Sequence, residues 1–171
     1  QIDFANRVFK SLLLDYPDLE MTFVPATYWG DAVPSLYLDY LGRRLDLRFR
    51  VGWTGPQIIS RRIREADVAH FRKQVPHRLV LGDNFPVQDR LLDSGRLFLG
   101  PLLGRDPRLA LSHEVFVANA SPLGEASKIS LYTVAEFLKN PQAYDPELAW
   151  RKAIIQFSGS EGGDWLSWFV R

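Results

Sequence analysis

Apolar and polar residues alternate along the chain in two rhythms, one of helical and one of strand period. Phe4, Val8, Leu12 and Leu13 fall near one helical face and predict a helix over residues 4–14, ended by Pro17 and its flanking aspartates. Residues 21–25 are short, apolar and bounded by turn residues, which predicts a buried strand running out at residues 26–30. The pair then recurs: a helical piece at 35–41 precedes an extended piece at 47–53 that stops at Thr54-Gly55-Pro56. A third unit follows, with a helix over 66–75 and a strand over 77–81 leading into Gly82-Asp83-Asn84-Phe85-Pro86. After an irregular stretch marked by Gly95, Gly100, Pro101 and Gly104, residues 114–118 read as a fourth strand ending at Asn119. Ile129, Leu131, Val134, Phe137 and Leu138 give residues 125–138 a helical stripe that is expected to be buried, and Asn140-Pro141 stops it. One more helix is expected from Pro146 to about Phe157, with Pro146 in its first turn.

Strands alternating with helices imply parallel pairing and right-handed crossovers, the grammar of α/β barrels and doubly wound sheets. No glycine-rich dinucleotide fingerprint opens the first helix, which weakens the doubly wound reading. The expected fold is therefore α/β, with four β/α units making about half of a (β/α)8 barrel. Residues 1–157 are assigned to that half-barrel and 158–171 to a C-terminal tail or packing helix, in which Trp165 and Trp168 read as core.

Composition narrows the function. With 46% hydrophobic and 24% charged residues the chain is expected to fold rather than remain disordered. Its formal net charge of +1 gives no reason to expect nucleic acid or an anionic membrane as partner. The dense basic run Arg61, Arg62, Arg64 is followed at once by Glu65 and Asp67 and reads as a solvated helix start. No cysteine is present, so disulfides, thiolate nucleophiles and Cys-ligated metals are excluded, and the compartment stays undetermined. No apolar stretch reaches the length needed to span a bilayer, and the start Gln1-Ile2-Asp3 is not a charged-then-apolar signal. His70, His77 and His113 lack the close spacing of a helical metal site, so neither metal nor cofactor is expected.

In parallel α/β folds chemistry gathers at the carboxyl ends of strands. Here those ends carry Tyr28 and Trp29, then Trp53 and Thr54, then Asp83, Asn84 and nearby Asp89, and last Asn119. Aromatic rings beside amides and a carboxylate suit a sugar, which offers C–H faces to stack and hydroxyls that need partners. Taken singly, Trp53 reads as core, Asn119 as a turn residue and Asp89 as a surface aspartate, while Asp83 stays open between function and structural hydrogen bonding. Asn119-Ala120-Ser121 matches a glycosylation sequon, which its place at a strand end makes a chance match.

Together these segments form a pattern. Val24-Pro25-Ala26-Thr27-Tyr28-Trp29-Gly30 resembles the Cys-Pro-Thr-Glu-Tyr-x-Gly segment of glycoside hydrolase family 84, and Trp53-Thr54-Gly55-Pro56 its Trp-Thr-Gly-Pro signature. Asp83-Asn84-Phe85-Pro86-Val87-Gln88-Asp89 is similar to Asp-Asn-Tyr-Pro-Val-Asn-Asp, and Arg96-Leu97-Phe98-Leu99-Gly100-Pro101 with Gly104-Arg105 to Arg-Leu-Phe-Leu-Gly-Pro with Gly-Arg. Glu125-Ala126-Ser127-Lys128-Ile129 and Asn140-Pro141-Gln142-Ala143-Tyr144 continue the likeness in the same order.

The resemblance implies a β-N-acetylglucosaminidase or hyaluronidase-like glycosidase, and places this chain at strands five to eight of its barrel. Asn84 is then expected near the reacting acetamido group, Asp89 and Asn119 on the sugar's outer hydroxyls, and Tyr28 beside the acetamido arm. The implied partner is a glycan or glycoprotein containing N-acetylglucosamine. The family's substrate-assisted mechanism uses an adjacent Asp-Asp pair, and no two acidic residues are neighbours here. Catalytic residues are accordingly expected to be absent from this chain, as a portion of a longer enzyme or, alternatively, as a non-catalytic carbohydrate-binding or scaffold protein. Gly82 also stands where the family has a pocket-wall Trp. Four parallel strands leave two sheet edges and part of the inner face uncovered, so self-association is expected.

Overall fold

The computed structural model of the chain describes residues 1–30, 35–89, 97–113 and 115–169. Arg96 and Glu114, each used above as part of a motif or strand, lie outside the described residues, as do the side chains of Trp165 and Trp168. Helix α1 (Ile2–Asp15) precedes strand β1 (Thr22–Phe23), α2 (Leu36–Arg44), β2 (Arg50–Trp53), α3 (Glu65–Arg72), β3 (Arg78–Asp83), β4 (Val115–Ala118), α4 (Gly124–Lys139) and α5 (Pro146–Phe169). Short 3-10 turns lie at Pro107–Leu111 and Pro141–Ala143. The chain divides into two compact units, Gln1–Asp83 with Leu111–Val117, and Asn84–Ala110 with Ala118–Arg171. No helix among the described residues is long and apolar enough to cross a membrane.

The first unit holds the sheet, whose order β1-β2-β3-β4 follows the chain. A doubly wound sheet reverses its strand order at a switch point, whereas a barrel adds each strand beside the last. The sequential order is that of a barrel. β1 pairs parallel with β2 and β2 with β3, with Phe23 opposite Val51, Val51 opposite Leu79 and Trp53 opposite Leu81. Side chains alternate across a strand, so Val51, Trp53, Leu79 and Leu81 share one face, and all four are fully buried. On that face Phe9 of α1 packs on Phe49 with ring centroids 4.5 Å apart, and Trp53 stacks on Phe71 of α3 at 5.1 Å. Trp53 is thus core, as the sequence suggested.

The other face carries Arg50, Gly52, Arg78 and Val80 in register. Glu20 accepts from Arg50 at 2.6 Å and from Arg78 at 3.4 Å, and the guanidinium of Arg50 holds its carboxyl below the usual range. Val24 crosses this face, with a methyl 3.2 Å from where a side chain on Gly52 would begin.

Helix starts follow capping chemistry. Ser35 caps α2 by accepting from the Leu38 N–H, and Arg64 opens α3, its backbone N–H and guanidinium both bonded to Asp67. The basic run therefore does begin a helix. On α1 the buried residues are Ile2 and Phe9, while Phe4 is 64% exposed. Two expectations about burial fail. The strand expected at 21–25 shrinks to two residues, and Val24 is 63% exposed. On α4 Leu138 is exposed and Leu131 only half-buried.

The second unit explains that last difference. Ile129 of α4 packs with Trp150, Ala153 and Ile154 of α5, joined by Leu99 and Tyr132. The buried face of α4 also carries Val134 and Phe137 beside the polar Ser127, Ser130 and Thr133. α5 runs beyond Phe157, with a break at Gly159, whose φ of 71° is a left-handed conformation suited to glycine.

Candidate functional site

The end of β1 is tied to the end of β2 through main chain. Tyr28 is half-buried, and its carbonyl accepts from the Thr54 N–H at 2.8 Å and from Thr54 Oγ1 at 3.3 Å. Gly30 N–H donates to the Gly55 carbonyl at 3.0 Å, and Trp53 Nε1 to the Gly30 carbonyl at 3.3 Å. Gly55 has a φ of 101°, and a side chain there would meet Ser60 Oγ at 2.5 Å and Ile63 Cδ1 at 3.0 Å. The Trp53-Thr54-Gly55-Pro56 segment thus shapes the loop that holds Tyr28: Trp53 by burial, Thr54 by hydrogen bonds and Gly55 by its backbone.

β3 ends at Asp83, which is 1% exposed and, by alternation, on the face of Leu79 and Leu81. That position favours a structural carboxylate. Asn84 and Asn119 each follow directly on the last residue of neighbouring strands, β3 and β4. Asn119 Nδ2 donates to Asn84 Oδ1 at 3.0 Å. The bond uses one acceptor and one donor, with Asn84 half-buried and Asn119 exposed.

Asp89 is exposed on the loop beyond the cis Phe85-Pro86 bond, and among the described residues no bond joins it to Asn84 or Asn119. Of the four residues singled out for a sugar, Asn84 and Asn119 are in direct contact. Tyr28 belongs to the first unit and the other three to the second. Sequence reasoning overlooked the side chains that brace the Asn84–Asp89 loop. Gln88 Oε1 accepts from the Phe98 N–H at 2.6 Å, the Phe85 ring meets the Phe98 ring edge-on at 5.3 Å, and the Arg105 guanidinium lies 5.9 Å from the Phe85 centroid. These residues lay inside the motifs, but spacing alone does not show that 85, 88, 98 and 105 meet.

Among the described residues no group of three or more His, Asp or Glu could hold a metal ion. A pocket of about 190 Å³ in the second unit is lined by Glu136, Lys139, Asn140, Tyr144 and Lys152 and contains none of the four sugar candidates. The sequence profile of the beta-N-acetylglucosaminidase family matches residues 1–171. The chain belongs to that family.

Relatives in and around the β-N-acetylglucosaminidase family agree. Protein O-GlcNAcase of Rattus norvegicus is 29% identical over 145 residues, 82% of this chain but 15% of that protein, and its Mus musculus counterpart is 28% identical over the same length. Among solved structures, a mutant of Thermobaculum terrenum O-GlcNAc hydrolase superposes with a TM-score of 0.93 at 33% identity, covering 98% of this chain and 36% of the other. CpGH84B, at 24% identity and a TM-score of 0.84, covers 94% of this chain and 30% of its own, and speaks to fold alone. The chain spans well under half the length of each of these four relatives. Its four-stranded unit is half of the barrel those structures carry, and the family's chemistry is glycoside hydrolysis.

Proposed function

We propose that this chain supplies the sugar-gripping half, strands five to eight, of a barrel that removes terminal β-linked N-acetylglucosamine from glycans or glycoproteins. Residues 1–157 are assigned to that half-barrel and 158–171 to a C-terminal tail or packing helix. The observation that carries the reading is the Asn84–Asn119 hydrogen bond at the carboxyl ends of adjacent strands, in a chain matched by the family along its length. Asn84 addresses the acetamido region, Asn119 and the exposed Asp89 take outer hydroxyls, and Tyr28 orients the acetamido arm.

The reaction is assisted by the substrate: the acetamido oxygen attacks the anomeric carbon, one aspartate steers the amide, and a neighbouring aspartate protonates the leaving oxygen and later activates water. No adjacent acid pair occurs in these 171 residues, so the chain by itself binds without turning over. The same observation, with Gly82 in place of a stacking side chain, favours a second reading as a carbohydrate-binding scaffold.

The test is calorimetry with N-acetylglucosamine alongside a chromogenic hydrolysis assay. Saturable binding is expected, weakened about ten-fold by Asn119→Ala, the loss of one or two hydrogen bonds. Absence of binding, or equal binding by the variant, refutes the sugar site, and turnover by the chain alone removes the scaffold reading. The β1 and β4 edges and the exposed Val24 and Val117 favour self-association, which a concentration-independent monomer in sedimentation refutes.

A further inference from the structure

We infer that Gln88 is a positioning residue, the clamp by which a side-chain-stitched strap holds the loop carrying Asn84 and Asp89. This rests on the sugar-site reading above and adds a residue to it.

The strap is the segment 98–102, which forms no helix or strand. Buried backbone polar groups outside regular structure need other partners, and here side chains provide them. Ser130 Oγ donates to the Gly100 carbonyl at 2.8 Å and to the Phe98 carbonyl at 3.4 Å, and Trp150 Nε1 donates to the Leu99 carbonyl at 2.6 Å. Leu102 N–H donates to Thr133 Oγ1 at 2.9 Å, while its carbonyl accepts from the Tyr144 hydroxyl at 2.9 Å. Main-chain groups of four of the five strap residues are thereby fixed to α4, α5 and the turn between them.

Phe98 begins this fixed strap, and it faces the loop with both its main chain and its ring. Its N–H donates to Gln88 Oε1 at 2.6 Å, and its ring packs edge-on against Phe85. Phe85 and Gln88 lie between Asn84 and Asp89, so each sugar candidate is adjacent to a braced residue. A loop of bare backbone samples many conformers, and a sugar-binding group must be ordered before it can hold a hydroxyl, which lowers affinity if the ordering happens on binding. With Phe98 anchored, Gln88 fixes Asp89 in advance. Gln88 fits this role by length and chemistry, since its carbonyl oxygen accepts from a backbone N–H that has no ladder to join.

The experiment compares Gln88→Ala, Gln88→Glu and the parent chain by N-acetylglucosamine calorimetry, thermal melting and backbone nitrogen relaxation in the free protein. Gln88→Ala is expected to bind about five-fold more weakly, with faster internal motion at the Asn84 and Asp89 amides and a melting temperature close to the parent's. Gln88→Glu, which keeps an acceptor at the same reach, restores the parent relaxation pattern. Trp150→Phe, which keeps a ring and removes the donor to Leu99, is expected to loosen the same amides from the far side of the strap. Unchanged relaxation at Asp89 in Gln88→Ala overturns the inference, and so does weaker binding with unchanged relaxation, which would make Gln88 a direct sugar contact. If the parent chain does not bind the sugar, the sugar site falls, while the relaxation comparison still decides the clamp.

Discussion

Gly42→Ala sets two forces of opposite sign against each other in α2. Intrinsic helix propensity favours alanine over glycine in a helix interior by about 1 kcal/mol, and a surface helix would be stabilised by that amount. Gly42, however, faces the end of α3. A methyl there would overlap the carbonyl oxygen of Gln74, would lie 3.0 Å from its carbonyl carbon, and would press on Pro76 Cδ at 3.3 Å. Backbone cannot step aside as a flexible side chain can, so α2 must withdraw by about 1 Å, enough to forfeit a quarter to a half of the dispersion contact where it packs. That contact involves Leu38 and Leu41, both buried. The helix is also gripped at its start, where the Ser35 N–H donates to Gln74 Oε1 at 3.0 Å, so pivoting away strains a second link to the same residue. Overpacking of this kind costs about 1–3 kcal/mol and more against rigid backbone, which outweighs the propensity gain. The expected net loss is about 1–2 kcal/mol, a large share of the stability of a domain. Urea unfolding followed by tryptophan fluorescence, with Trp53 buried against Phe71 as a reporter in the same unit, measures it. An unfolding midpoint equal to or above the parent's would show that the approach of α2 to Gln74 is not a hard contact, and the reasoning would fail.

His77 and Gly82 give two further tests. His77 is buried, its Nε2 lies 3.2 Å from the Leu45 carbonyl, its Nδ1 has no partner, and burial pushes its pKa below 6.5 despite that hydrogen bond and nearby Asp46. Because the folded value is depressed, the unfolded chain binds the extra proton first. Stability is therefore full above about pH 6.5 and falls as pH drops towards the folded value, and His77→Gln, which keeps a donor for Leu45, is expected to flatten melting temperature against pH in that window. At Gly82 a side chain would meet only Thr54 Cγ2 at 3.8 Å and the Trp53 carbonyl at 3.9 Å, ordinary contacts on a strand. Gly82→Ala is expected to raise unfolding stability by about 0.5 kcal/mol, and a loss in the same urea assay counts against this reading of the strand.

Much of the fold was legible because β/α alternation is written in local periodicity, and a break in period marks each boundary. Burial was read less well wherever a stripe had neighbouring solutions. On α1 the residues Phe4, Val8 and Leu12 form a helical face as good as that of Ile2 and Phe9, and contacts distant in sequence favour the second, Phe9 with Phe49 and Asn6 with Arg44 and Asp46. At the site, ordered motifs pointed to Asn84 and Asn119, whose meeting depends on β3 and β4 being neighbours, a consequence of sequential strand order.

The strap escaped for a different reason. A search for apolar stripes counts hydrophobic residues, and on α4 it drew Leu138 inward while passing over Ser127, Ser130 and Thr133, which are buried beside Ile129, Val134 and Phe137. Their spacing of three is helical, and their hydroxyls are compatible with a buried face only if something across from them supplies donors and acceptors. Segment 98–102 supplies both: carbonyls for Ser130 and an N–H for Thr133. Hydroxyls on a helix and unladdered backbone in a loop are each unfavourable inside a protein when taken alone, and each removes the other's cost when they meet. A Ser/Thr stripe at helical spacing, downstream of a glycine- and proline-rich irregular stretch, is the signal that could have located this junction, and through it the bracing of the loop that carries Asn84 and Asp89.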